Sequence, residues 1–129
     1  MAGNKVCVVV VSGTLERIQM AAMVASVAAV SGQETLVFLS MNALPYFAKG
    51  NADKAPHEGR MGDLMAGKVP EFKTLFEQAV EYGEAKIYPC SMAMDVLGVE
   101  QENMESYLQE PTGLTKFLHD AQDGQVWTF

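Results

Sequence analysis

Cys90 is the residue in this chain best placed for chemistry by its type and its surroundings. It stands in IYPCSMAMDVLG, residues 87–98, which reads as the end of a buried strand, then a cysteine, then a short helix. Ile87 is β-branched and Tyr88 is aromatic, and both residue types suit strands. Pro89 has no N–H to give to a ladder, so the strand is expected to end there. Ser91 to Leu97 has helical composition, and Gly98 suits the position just beyond a helix. Cys90 then sits at the N-terminal end of that helix, where the partial positive charge favours a thiolate over a thiol. The thiolate is the good nucleophile. Cysteine is also among the residues most often simply buried, so the corner position leaves both readings open.

Several familiar chemistries are excluded by what is missing. Thioredoxin-type exchange needs a second cysteine three positions on, and position 93 is Ala. No G-x-S-x-G nucleophile elbow occurs, and the glycines do not have the spacing of a phosphate-binding loop. His57 and His119 lie far apart in the chain, so no metal site is expected. Asp95 is near Cys90 in sequence; close to the sulfur it would raise the thiol pKa, and otherwise it faces solvent. What remains is one candidate thiol without a resolving partner in its own neighbourhood. Such a thiol suits forming and passing on a covalent adduct, with a partner protein supplying the second thiol.

The elements that position this corner can be read along the chain. Lys5 to Val11, KVCVVVV, is a continuous β-branched run, as expected of a strand covered on both faces. Cys7 lies in its middle and reads as an inert core thiol. Ser12-Gly13-Thr14 follows, with Thr14 a natural N-cap and Glu16 in the first helical turn. A helix runs from Leu15 to about Ser31 and ends at Gly32. From Met20 to Val30 it is apolar on nearly every side, which predicts burial all round, under its own domain or against another subunit. Glu34 to Ser40 is a second apolar strand, so residues 5–40 form a βαβ unit with a parallel sheet and a right-handed crossover.

Ala43 to Ala48 reads as a short helix with an irregular start at Pro45. Residues 49–68 read as a long loop with one helical turn near Met61 to Met65. Long loops are often lids, and His57 in it either assists a thiol or is simply solvated. Pro70 to Tyr82 carries the clearest helical stripe: Phe72, Leu75, Phe76, Ala79 and Val80, with Pro70 suiting N1 and Gly83 suiting C′. Asn103 to Glu110 is expected to hold a helical turn or two, ended by Pro111. Thr112 is expected to cap a last helix that buries Leu114, Phe117, Leu118 and Ala121. Gln125 to Phe129 reads as a terminal edge strand. In open parallel sheets ligands bind beyond the carboxyl ends of the strands. That topology gathers Ser12, Thr14, Ser40, Asn42, Cys90 and Ser91 on one rim, where the polar ones either form turns and caps or touch a ligand.

Composition narrows the class further. The chain has 129 residues, 49% apolar and 19% charged, as expected of one globular domain spanning 1–129. Its net charge is −7; residues 1–70 hold six basic and five acidic side chains, residues 71–129 three and eleven. An acidic chain without a basic cluster argues against nucleic acid or an anionic membrane as partner. No stretch approaches the roughly 20 apolar residues of a membrane span, and no signal peptide is evident. Two cysteines cannot build a disulfide framework. A reducing cytoplasm is the expected location.

At these residues the chain resembles the DsrE/DsrF-like proteins, the sulfur-relay group that includes the Tus proteins. The likeness rests on the Ser12-Gly13-Thr14 turn after the opening strand, the Ala-rich first helix and the Val37-Phe38-Leu39-Ser40-Met41 strand end. Above all it rests on Cys90-Ser91-Met92-Ala93-Met94-Asp95 closing on Leu97-Gly98. The resemblance implies a three-layer α/β/α fold around a mostly parallel sheet, here of four or five strands. It implies homo-oligomers, often trimers or hexamers, and a sulfurtransferase-like role in which Cys90 carries a persulfide between donor and acceptor proteins, with no cofactor. The chain lacks the peroxiredoxin P-x-x-x-T-x-x-C motif and the Arg-bearing loop of rhodaneses. The alternative from the residues is an oligomeric module that holds a small ligand or nucleotide on the strand-end rim, with Cys90 only packing.

Overall fold

The computed structural model of the chain describes residues 5–51 and 54–129. Strand β1 (Lys5–Val10) leads into helix α1 (Leu15–Val30) and strand β2 (Glu34–Leu39). A 3₁₀ turn over Met41–Phe47 and the short helix α2 (Arg60–Met65) precede helix α3 (Phe72–Gly83) and strand β3 (Lys86–Pro89). Helix α4 (Ser91–Leu97), a 3₁₀ turn at Gln101–Asn103, helix α5 (Leu114–Asp120) and strand β4 (Gln125–Thr128) complete the order.

The four strands form one sheet in the order β3-β2-β1-β4, and every pairing is parallel. The order explains the layers. From β1 to β2 to β3 the chain steps in one direction, and right-handed crossovers put both connecting helices on the same face. Helices α1 and α3 indeed pack on each other. The chain then returns across the whole sheet to β4, and the same handedness carries that return over the opposite face. Helix α5 lies there, its buried Phe117 ring 5.0 Å from Phe38 of β2. Strand alternation divides the side chains accordingly: Val6, Val8, Val10, Val37 and Ile87 turn toward α1 and α3, and Cys7 and Phe38 toward the α5 face.

Several local expectations need correction. Of the two covers expected for helix α1, its own domain supplies one side: Ile18, Ala21, Ala22, Ala25 and Ala28 face the core, while Met20, Met23, Val27 and Val30 are exposed in the single chain and leave the other side to another subunit. The all-round apolar sequence therefore leaves one flank without a partner among the described residues. Helix α3 starts at Phe72, with Pro70 outside it, and its left-handed cap is Glu84 (φ 57°) rather than Gly83. Gly83 has a different task, because a Cβ there would lie 2.5 Å from Ala29. It lets α1 and α3 approach closely. The short helix expected over Ala43 to Ala48 is a 3₁₀ helix over Met41–Phe47, with Pro45 inside it and Ala48 beyond its end.

Residues 103–110 do not form the expected helix. Past the turn at 101–103 the chain runs along the outer edge of β3, where Gln109 N–H donates to the Ile87 carbonyl (2.7 Å) and Thr112 N–H to the Pro89 carbonyl (3.0 Å). The sheet edge thus satisfies backbone groups that a helix would otherwise pair. Thr112 is buried in this contact, and Gly113 takes the N-cap of α5 in its place. In α5 itself Phe117 and the following Ala121 are buried, whereas Leu114 and Leu118 are exposed.

Candidate functional site

Cys90 forms the corner between β3 and α4, as its sequence context predicts. Its N–H donates to the Leu39 carbonyl of β2 (2.9 Å), and its own carbonyl accepts from Met94 N–H (3.0 Å) to open α4. Ser91 N–H donates to Thr112 (3.0 Å), and Cys90 pairs in parallel with Thr112. The corner is therefore tied on one side to β2 and on the other to the strap before α5. Pro89 fits because β3 is an edge strand: the Pro89 carbonyl points outward to Thr112, so the missing N–H costs no sheet bond. Gly98 ends α4 in the left-handed region (φ 73°), with Val99 N–H reaching back to Met94, the Schellman pattern.

The thiol of Cys90 makes no capping hydrogen bond, although the residue is the N-cap of α4. Both free cysteines are buried, Cys90 at 6% exposure and Cys7 at 0%. Burial pushes the Cys7 thiol up, only partly offset by the Lys5 charge, so Cys7 is held neutral in the middle of β1. Met94 is buried behind Cys90, while Met92 and Asp95 face solvent.

The other rim residues follow from the strand ends. Ser40 N–H donates to the Val10 carbonyl and Asn42 N–H to the Val11 carbonyl, which joins the ends of β1 and β2. Gly13 lies against Asn42, and Tyr46 Oη donates to the Gly13 carbonyl (3.3 Å). Ser12, Thr14, Ser40, Asn42, Cys90 and Ser91 thus all lie at the carboxyl end of the sheet. They are not gathered at one point. Cys90 is at the β3 edge, whereas Ser12 and Thr14 follow β1, on the far side of β2. Ser40 is buried, and Asn42 is exposed.

Thr14 is the N-cap of α1, but its hydroxyl accepts no helix N–H and instead donates to Glu58 (3.2 Å). Residues 54–62 of the long loop dock here; residues 52 and 53 of that loop lie outside the described residues. Leu15 N–H donates to Pro56, and Arg17 pairs with Glu58 at 2.7 Å. Glu16 is the centre of this contact. Its carboxylate accepts from the N–H groups of Glu58, Gly59 and Gly62 at 2.7, 2.8 and 3.1 Å. These hydrogen bonds, led by that from Glu58, bring its pKa down to about 2. Sequence reading assigned Glu16 only to its own helix. No local signal marks amides 42 to 46 residues away, although a loop that opens α2 at Gly59 needs its free N–H groups satisfied. The His57 ring is engaged with Asp63 at 2.7 Å, in the same docked segment.

Among the described residues no group of His, Cys, Asp and Glu could hold a metal ion, and no helix is long and apolar enough to cross a membrane. Two surface grooves lie away from the rim. One, of 420 Å³, runs between α1 and β4, and the other, of 330 Å³, lies around residues 101–109; neither is lined by any of the six rim residues.

Two solved structures share this fold. The protein of unknown function MTH1491 from Methanobacterium thermoautotrophicum superposes with a TM-score of 0.69 at 8% identity, covering 97% of this chain and 98% of that one. The ychN protein from E. coli superposes with a TM-score of 0.67 at 17% identity, covering 97% and 99%. No curated protein matches the sequence. The family model for DsrE/DsrF/DrsH-like proteins matches residues 57–129, more than half of the chain and the part that contains Cys90, so the chain belongs to the DsrE/DsrF/DrsH-like family.

Proposed function

We propose that the chain is a sulfur carrier in which Cys90 holds sulfane sulfur as a persulfide and passes it to a partner protein. The observation that carries this reading is the position of Cys90: a free cysteine, buried but for 6% of its surface, at the N-cap of a helix and the carboxyl end of a parallel strand, inside the family-matched region. The Cys90 thiolate attacks the terminal sulfur of a donor persulfide, R–S–SH. The donor S–S bond breaks, the donor leaves as R–S⁻, and a new S–S bond leaves Cys90 as the persulfide. An acceptor thiolate repeats the step on the Cys90 persulfide and regenerates the Cys90 thiolate. No net oxidation occurs, and no cofactor or metal is needed.

Burial of most of Cys90 sets a steric condition. The donor must present its sulfur at the exposed side of the corner, so specificity lies in docking and not in a deep pocket. Pinning of the corner from both flanks keeps the sulfur in one place for both partners. The family's sulfur-relay kinship supports the same role, and a cytoplasmic homo-oligomer with separate donor and acceptor proteins is the setting in which it works.

Intact mass after exposure to a polysulfide donor tests this directly. One added sulfur is expected on the wild type and on Cys7→Ala, and none on Cys90→Ser. Sulfur that remains on Cys90→Ser, or a wild type that takes up none, overturns the carrier role.

A further inference from the structure

The free edge of β4 and the exposed flank of α1 lie side by side. All four residues of β4 are exposed, including Val126 and Trp127 at 48% and 49%. By register Trp127 is level with Val8 and turns toward the α1 face. There it lines the 420 Å³ groove with Met20, Met23, Val27 and Gln125, and none of the groove's lining residues is charged. In a chain of net charge −7 this is where a second copy can approach without like charges meeting.

The backbone adds a specific pattern. Phe129 N–H donates to Val9 and the Phe129 carbonyl accepts from Val11, so both groups of Phe129 face β1. Alternation along a strand then turns both groups of Val126 and of Thr128 to the outer edge. Among the described residues none of these four has a backbone partner outside the sheet. Antiparallel pairing of β4 with β4 of a second copy, about a two-fold axis normal to the sheet, sets Val126 opposite Thr128 twice. All four groups are then used in four hydrogen bonds. The pairing also sets Trp127 opposite Trp127 in a narrow, non-hydrogen-bonded site, with Cα atoms about 4.5 Å apart. A shift that pairs Val126 with itself uses only the Val126 groups in that ring.

We infer that two copies of this chain associate through β4 in the register that places Trp127 against its own symmetry mate, making one eight-stranded sheet. The α1 flanks of both copies then border a single apolar seam. Such a contact is isologous and closes. It is compatible with a dimer or a hexamer and not with a bare trimer, and it stands apart from the chemistry of Cys90.

Sedimentation velocity and crosslinking test it on the full chain, with each variant's fold checked by far-UV circular dichroism. The wild type is expected at an even multiple of 14.0 kDa, and Trp127→Lys at half that multiple or less. In a Cys90→Ser background, Trp127→Cys is expected to crosslink on mild oxidation, since the Cα separation falls within the disulfide range of about 4.4–6.8 Å. Val126→Cys is expected not to. A monomeric or trimeric wild type, an unchanged mass for folded Trp127→Lys, or crosslinking at 126 and not at 127 overturns the inference.

Discussion

Along β3 the outward carbonyls of Ile87 and Pro89 accept hydrogen bonds from Gln109 and Thr112, whereas along β4 the outward groups of Val126 and Thr128 meet no such strap among the described residues. Both strands are edges of the same parallel sheet, with four residues each. The β3 edge is closed by the chain's own return toward α5, and a proline sits in it. An unpaired edge is a template for another strand, and proteins cover it or blunt it unless pairing is wanted. The difference separates two tasks. The closed edge holds Cys90 in a fixed backbone frame, and the open edge offers backbone and apolar surface to a second copy. The proposed chemistry and the proposed assembly then fall on opposite edges of the sheet, with β2 and β1 between them.

This contrast can be strained from either side. The largest effect is expected where α5 covers the closed side. Phe117→Ala removes the ring packed at a tilt against Phe38 and should cost about 3–5 kcal/mol of stability in urea unfolding, because the cavity lies in a buried cluster. A smaller loss near wild-type stability would mean that α5 does not fasten this face of the sheet.

Gly83→Ala comes next. A Cβ at 2.5 Å from Ala29 forces α1 and α3 apart just before the chain enters β3. Overpacking of this kind costs roughly 1–3 kcal/mol. Sulfur loading at Cys90 should persist in the folded fraction if the corner is held mainly by β2 and Thr112.

Glu16 lies between the two edges, at the end of β1, and gives a pH dependence. Its pKa in the folded chain is about 2 against an ordinary 4.5. A depressed carboxylate stabilises the docked loop above its unfolded pKa and loses that contribution as pH falls through the folded one. The docked segment 54–62 should therefore loosen between about pH 4.5 and 2. Glu16→Gln should loosen it already at neutral pH and flatten that acid limb. Hydrogen exchange at Gly59 and Gly62 reads both effects; equal protection in Glu16→Gln and wild type would remove Glu16 as the clamp. Neither the mass of the assembly nor sulfur uptake should change, if the centre of the rim is independent of its edges.

The smallest effect is expected on the open side. Once dissociated, Trp127→Lys should unfold within about 0.5 kcal/mol of the dissociated wild type, since an exposed side chain away from the core contributes little to the fold. A loss as large as that of Phe117→Ala would mean that Trp127 belongs to the core and not to an interface.

Much of this was legible in the chain itself. The β-branched run of β1, the apolar run of β2 and the helix between them specify a parallel α/β sheet, because strands buried on both faces read as near-continuous apolar runs. Pro89 and Gly98 bracket the Cys90 corner through φ restriction and left-handed freedom, both local properties. The Gln125 to Phe129 alternation marked the edge strand. What failed were inferences about partners distant in sequence. Helix α1 carries apolar residues on all sides, and composition does not reveal which flank the sheet covers. Residues 103–110 read as a helical turn or two, yet the nearby edge of β3 takes the Gln109 N–H. Gly83 looked like a cap and is a close-approach site, because the requirement comes from Ala29. Glu16 looked like a dipole complement and is a clamp on residues 58–62. Local backbone and burial preferences are written in a few consecutive residues. Which edge is closed, which flank stays bare and which carboxylate meets which amide depend on the packing of segments far apart in the chain, and those only the tertiary structure decided.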